Sequence, residues 1–168
     1  MSCAIISPMS EETQNRDGAA VRFPPPIVPL IALALGAGVH GFVWPLALPV
    51  EGVLRWGVAG VLVALGLGLM GAAMGLFRRT HQDPKPWVST PEIISSGIYG
   101  YTRNPMYLGM GLLQAGFGVL LANAWVLLLV PVTWWTISQI AIRHEEAYLE
   151  EKFGSAYTDY KGSVRRWL

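Results

Sequence analysis

"GIYGYTRNPMYLG", residues 97–109, gathers three tyrosines, three glycines, a proline and an Arg-Asn pair immediately before a long apolar run. Asn104-Pro105 reads as a helix start, because Asn is a favoured N-cap and Pro suits the first helical position, where no hydrogen bond is lost. The helix that follows would present unpaired N–H groups and the positive end of its dipole beside Arg103, where a carboxylate or phosphate would bind. Gly109 and Gly111 leave space for a ligand or a neighbouring helix, and Tyr107 lies one turn before Gly111 on the same face. For Tyr99, Tyr101 and Tyr107 two readings stay open: an interfacial aromatic belt, or the lining of a site.

The apolar run belongs to a membrane pattern. The chain has 168 residues, 52% hydrophobic and 14% charged, and a positive mean hydropathy of +0.41, the composition of a membrane protein. Four apolar stretches, 27–50, 53–77, 106–122 and 125–142, approach or reach the roughly 20 helical residues needed to cross a bilayer. The expected fold is therefore all-α, a bundle of about four transmembrane helices. Asn123-Ala124 separates the last two, predicting a tight antiparallel hairpin. Gly57, Gly60, Gly66, Gly68, Gly71 and Gly75 in the second stretch read as helix-packing positions, with Gly71 and Gly75 at small-xxx-small spacing.

Of the twelve Lys and Arg, all but Arg55 fall in the N-terminal tail, the 78–105 loop or the C-terminal region. By the positive-inside rule both termini and the middle loop are cytoplasmic, in what is expected to be the cytoplasmic membrane. Residues 1–26 read as a disordered cytoplasmic tail without the apolar core of a signal peptide. Residues 27–77 form two N-terminal helices, and 78–168 hold the chemistry. A net charge of +1 and the absence of a basic-aromatic cluster argue against nucleic acid. The single cysteine, Cys3, carries no disulfide or redox information. His81 with Asp83 and His144 with Glu145 lack further ligands at metal spacing, so no metal is expected. His40 reads as a satisfied interior histidine, and oligomeric state is not encoded in any pattern found.

The second polar constellation follows the hairpin. The fourth apolar stretch runs without a breaker into Arg143–Phe153, so one helix is expected to leave the membrane and continue for about three turns until Gly154. At three- to four-residue spacing Trp135, Gln139, Arg143 and Glu146 would form one polar stripe, with Glu145 about 100° round the helix. Either this is a functional carboxylate-arginine group facing inward, or Arg143 and Glu146 form an ordinary surface pair.

"SSGIYGYTRNPMYLG" followed, after one hairpin, by "EEAYLEEKFGSAYTDYK" resembles the integral membrane methyltransferases of the isoprenylcysteine carboxyl methyltransferase and phospholipid methyltransferase group. The resemblance covers residues 77–168. It implies S-adenosylmethionine as cofactor, bound on the cytoplasmic side between the two motifs. Glu92, Ile93, Ile94 and Tyr99 would line its adenosine side. Asn104, Pro105, Met106, Tyr107 and Gly109 would hold its methionine part, and Glu145 its amino or ribose groups. Eukaryotic isoprenylcysteine enzymes have His at the position of Asn104, and their substrate arginine aligns nearer Ala141 than Arg143. The acceptor is therefore expected to be a lipophilic or lipidated molecule such as a lipid amine or small thiol, reached from the bilayer lipids, with farnesylcysteine analogues poorly used.

Methyl transfer from a sulfonium needs alignment and exclusion of water more than a catalytic triad. Glu146 and Arg143 are the candidate catalytic residues, with Glu146 or His144 available as base for an amine. Trp135, Gln139 and Arg143 are the candidate acceptor-binding residues, and Tyr107 or Trp135 could face the sulfonium. The alternative is a small transporter or structural membrane protein, with Gln114, Gln139 and His40 lining a path. The topology is open to a direct check: a reporter active only outside the cytoplasm, fused to the C-terminus, should stay silent, and a strong signal would separate the two motifs.

Overall fold

A computed structural model describes residues 18–21 and 23–168. Cys3 and most of the tail expected over 1–26 lie outside the described residues. The architecture is all-helical. Helices α1 (Ile27–Phe42), α2 (Gly52–Arg79), α3 (Pro105–Leu120) and α4 (Ala124–Ile137) form the apolar part. A π-turn over Ser138–Ile142 joins α4 to α5 (Arg143–Phe153), and α6 (Ser155–Ser163) follows after Gly154. Two helical segments, α2 and the continuous run Ala124–Phe153, are long and apolar enough to cross a membrane, whereas α1 and α3 are shorter apolar helices of 16 residues. Sixteen residues rise roughly 24 Å, somewhat less than a hydrocarbon core.

The first stretch is shorter than its apolar run of 27–50 suggests. Its helix stops at Phe42, three residues before Pro45, and the chain turns back beneath the hairpin. There Leu48 N donates to Ala122 O at 2.9 Å and Ala124 N to Leu46 O at 3.0 Å, around an isolated antiparallel bridge between Ala47 and Asn123. Asn123 forms the expected tight hairpin: its side-chain oxygen caps Val126 N at 3.3 Å, and its amide nitrogen reaches Gly36 O in α1 at 3.1 Å.

α3 packs along α2, and α4 packs against both α1 and α3. The α2–α3 seam is set by close approach: a Cβ built on Gly109 would lie 2.8 Å from Gly66 O and from Met70 Cγ. Gly66 alone of the seven α2 glycines meets a neighbour, since Cβ atoms at Gly52, Gly57, Gly60, Gly68, Gly71 and Gly75 would enter open space. The packing role expected of the Gly71–Gly75 pair is therefore corrected, because that pair lies on the face turned away from α3.

Gln114 locks the hairpin. Its amide nitrogen donates to Val126 O at 3.1 Å and its oxygen accepts from Thr133 at 2.7 Å, all buried. Satisfying this amide within the apolar layer avoids the penalty of a lone buried polar group. It ties both ends of the Gln114 amide to α4, rather than to the path expected of a transporter. His40 departs from its reading as a satisfied histidine, because its buried Nδ1 has no partner.

The chain before α1 is part of the body. Ala19 N donates to Pro86 O at 2.9 Å, and Ala19 and Val21 are buried with Tyr107, Met110, Ile137, Ala141 and Ile142. The disorder expected up to residue 26 is thus corrected for residues 18–21, whose apolar side chains find a core to join.

The glycine seam generates a contrast. Gly109→Val should destabilise the folded protein by about 1–3 kcal/mol through overpacking, while Gly68→Ala, facing open space, should cost nothing. Thermal unfolding of both variants in detergent checks this, and equal midpoints would show the seam to be looser than its geometry.

Candidate functional site

At the polar end of the bundle a cavity of about 340 Å³ opens between the 82–94 loop, the start of α3, and helices α5 and α6. Its walls are apolar at Ala19, Pro24–Pro26, Phe77, Trp87, Met110 and Leu149, and polar at Gln82, Glu92, Arg103, Glu145 and Glu146. The two sequence motifs therefore meet at one place.

Glu146 organises the polar wall. The residue is 7% exposed and its carboxylate receives Arg103 Nη1 at 2.9 Å, Arg166 Nε at 3.0 Å and Arg166 Nη2 at 2.6 Å, with Lys161 Nζ 4.0 Å away. These hydrogen bonds raise the pKa of Arg166. Arg166 and its neighbours bring the C-terminal strap against the start of α3: Asn104 Nδ2 donates to Arg166 O at 3.0 Å, and Arg103 N to Arg165 O at 3.0 Å. Trp167 packs on Trp134 with ring centroids 5.8 Å apart.

Asn104 sits at the N-cap position but makes no side-chain cap. Its amide is used on Arg166 O instead, which corrects the capping role and leaves the first-turn N–H groups without that partner. Arg103 lies beside them with a side chain 9% exposed, and its buried Nε has no hydrogen-bond partner.

Glu145 faces the cavity and accepts a short hydrogen bond from the Tyr107 hydroxyl. Burial pushes its carboxyl up to about 7; the Tyr107 hydrogen bond pulls the other way and the neighbouring Glu146 charge adds to the rise. Tyr160 donates to Tyr99 O at 2.7 Å, fixing the 3₁₀ turn Gly97–Gly100 against α6. On the opposite side, Thr90 N donates to the Tyr148 hydroxyl at 3.1 Å, tying the loop to α5.

Glu92, Ile93, Ile94, Tyr99, Asn104, Met106, Tyr107, Glu145 and Glu146 all line the cavity. Pro105 and Gly109 do not; Pro105 is buried at the helix start and Gly109 faces α2. Trp135, Gln139 and Arg143 are also absent from its walls, with Trp135 66% exposed and Arg143 on the surface. Of the expected stripe only Glu146 reaches the cavity; the π-turn turns α5 as a whole by about 100° relative to α4. Within α5, Arg143 and His144 are exposed and Glu146 is buried against Arg103 and Arg166, so neither the Arg143–Glu146 pair nor a His144 base forms here. The aromatic that does turn inward is Trp134, whose Nε1 donates to Tyr107 O at 3.2 Å. Of the three tyrosines, Tyr107 is buried, Tyr99 lines the cavity, and only Tyr101, 77% exposed, suits an interfacial belt.

Gln82 was missed in the sequence. It is 8% exposed, lines the cavity, donates its amide nitrogen toward Glu92 Oε1 at 3.5 Å, and has a buried Oε1 without a partner. Trp87, Tyr148, Tyr157 and Tyr160 also line the cavity without any spacing signal that marks them.

The family model of phospholipid methyltransferases matches residues 55–156, from the first turn of α2 past the end of α5, with the whole of the first motif and the second as far as Ala156. The chain belongs to the phospholipid methyltransferase family. Among curated proteins it is similar to the protein-S-isoprenylcysteine O-methyltransferase of Schizosaccharomyces pombe, 36% identical over 72 residues, covering 43% of this chain and 30% of that protein. The Mus musculus protein of the same name is 31% identical over 108 residues, 62% of this chain and 38% of its own length. An uncharacterised Haemophilus influenzae protein is 43% identical over 63 residues, 38% of this chain and its entire length. The aligned segments thus span well under half of the named methyltransferases.

Glu145 makes stability depend on pH. Its folded-state pKa is raised from an ordinary 4.5 to about 7, so its contribution is fully present below about 4.5 and is lost as pH rises toward 7. Thermal midpoints measured from pH 4.5 to 7.5 should fall more for the wild type than for Glu145→Gln. Parallel curves would place Glu145 in a more solvated position.

Proposed function

We propose that this chain is an integral membrane methyltransferase that takes S-adenosylmethionine in the 340 Å³ cavity and methylates a lipophilic acceptor. In this reading α1, α2, α3 and α4 cross the membrane, both termini are cytoplasmic, and the cavity lies at the cytoplasmic face. The observation that carries it is the meeting of both motifs around a cavity with a buried, partnerless guanidinium N–H of Arg103 and a Tyr107-held carboxyl of Glu145.

These groups suit the cofactor's chemistry. Arg103 Nε and the uncapped first-turn amides of α3 would receive its carboxylate. Glu145 would face its ammonium or ribose hydroxyls, with Met106 and Tyr107 along its methionine part and Ile93, Ile94 and Tyr99 beside its adenosine. When bound, the cofactor supplies an electrophilic methyl group already activated as a sulfonium. The protein's task is then to orient the reacting groups and exclude water, for which Trp87, Met110, Leu149 and the Pro24–Pro26 wall are suited.

Proton handling passes to Glu145. Glu146 is consumed by two arginines, while Glu145, with a pKa near neutrality, can receive a proton at its carboxylate oxygen from an amine or thiol acceptor. A carboxylate acceptor is less well served, since Arg103 and Arg166 both direct N–H groups at Glu146. Glu146 and Arg166 are thus positioning residues, and Arg103 is held by Glu146 while its Nε faces the cofactor.

Calorimetry on the detergent-purified chain tests the reading. S-adenosylmethionine and its demethylated product should both bind, and Arg103→Ala should weaken binding about tenfold or more, as expected for a lost charge-assisted hydrogen bond. A folded sample that gives no heat with either would favour the structural or transport alternative.

A further inference from the structure

One stretch of chain lies across the apolar end of the cavity without any part in the proposed chemistry. Gly18–Val21 packs against α3 and the π-turn, and its inward side chains, Ala19 and Val21, are 4% and 8% exposed. They are buried with Tyr107, Met110, Ile137, Ala141 and Ile142. Of this cluster Ala19, Tyr107, Met110 and Ile142 also line the cavity, while Val21, Ile137 and Ala141 do not. The cluster therefore continues the cavity between α3 and the end of α4, and Ala19 is the surface at which open space stops and packed chain begins.

The stretch is docked by its backbone rather than by large side chains. Ala19 N donates to Pro86 O at 2.9 Å and Val21 N to Ala19 O at 2.7 Å, a tight turn that leaves Ala20 exposed at its apex. Gly18 permits the approach: a Cβ there would lie 2.1 Å from the carbonyl carbon and oxygen of Trp87 and 2.7 Å from Val88 N, all main-chain atoms that a side chain cannot push aside. What the stretch places in the apolar seam is only a methyl and an isopropyl group.

A lipophilic acceptor needs its reacting group near Tyr107 and Glu145 and a place for its tail. The cavity of about 340 Å³ stands at the small end of the roughly 300–1,000 Å³ usual for ligand pockets, enough for the cofactor and little more. The apolar volume contiguous with it, beside Met110 and Ile142, is already filled by Ala19 and Val21. We infer that Gly18–Val21 sets acceptor size: it closes the apolar subsite at Ala19, so that acceptors with short apolar tails are taken and a long chain enters only by displacing this stretch. The inference rests on the cofactor reading above and adds to it the element that selects the acceptor.

The test uses analogues of S-adenosylmethionine in which an amine nitrogen replaces the sulfonium sulfur and carries a methyl, butyl or octyl group in place of the transferable methyl. Each sends its alkyl chain from the cofactor toward the acceptor's place, whatever the natural acceptor is. By calorimetry on the full chain in detergent, the wild type should bind the octyl analogue at least about tenfold more weakly than the butyl analogue, the scale of an overpacking penalty. Gly18→Val, which cannot follow the same course past Trp87, should bring the two within about threefold. Val21→Gly, which empties part of the seam and keeps Gly18, should narrow the ratio in the same direction and carries the test if Gly18→Val fails to fold. A wild type that binds octyl as tightly as butyl, or a ratio unchanged in the folded variants, overturns this role for Gly18–Val21 while binding of the methyl analogue leaves the cofactor site standing. A folded wild type that binds none of the analogues overturns the cofactor reading and this inference together.

Discussion

A single buried carboxylate holds the polar end of this molecule together. Glu146 lies where α5, the loop before α3 and the C-terminal strap converge, and it is surrounded by guanidinium groups from the latter two. A charge this buried is tolerated only when its lone pairs are occupied. Removing either arginine would leave a costly remainder. The consequence for chemistry is a division of labour between adjacent acids: Glu146 is fixed in an ionic cluster, while Glu145, one residue earlier, faces the cavity and accepts a hydrogen bond from Tyr107. Neighbouring residues on a helix point about 100° apart, which is enough to give one a structural environment and the other a chemical one.

That division depends on the π-turn. Had α4 run into α5 with uninterrupted α-geometry, α5 would be turned by about 100° and would offer a different face to the cavity. The wider turn over Ser138–Ile142 instead separates an apolar segment with one orientation from a polar segment with another. Insertions of this kind often accompany functional sites. Here the insertion lets the same continuous helix present Trp134 to the bundle and Glu145 to the cavity.

Much of this architecture was legible because it rests on signals that act locally. Asn104-Pro105 marked the start of α3, Asn123 marked the hairpin, and Gly154 marked the end of α5, all through backbone chemistry that depends on few neighbours. Eight of the ten residues expected at the cofactor line the cavity, all but Pro105 and Gly109. What was not legible depends on partners distant in the chain. Asn104 abandoned its cap for a carbonyl at Arg166, and the α2 glycines could not be divided into packed and unpacked until α3 showed which face it covered. Trp135 and Arg143 are exposed, because the groups that draw Glu146 inward, Arg103 and Arg166, come from distant segments. Gln82 carries no motif, and its interest arises only from being buried with one edge answered and the other not.

The segment over 18–26 has a further meaning for how the molecule is made. Ala19 hydrogen-bonds to Pro86, and the three prolines preceding α1 wall a cavity whose opposite side is held by Arg166, near the other end of the chain. No contiguous fragment emerging from a ribosome contains both walls until Arg166 has been added. The apolar helices can therefore enter the bilayer well before the pocket exists, and pocket closure becomes a late maturation step, separate in time from insertion.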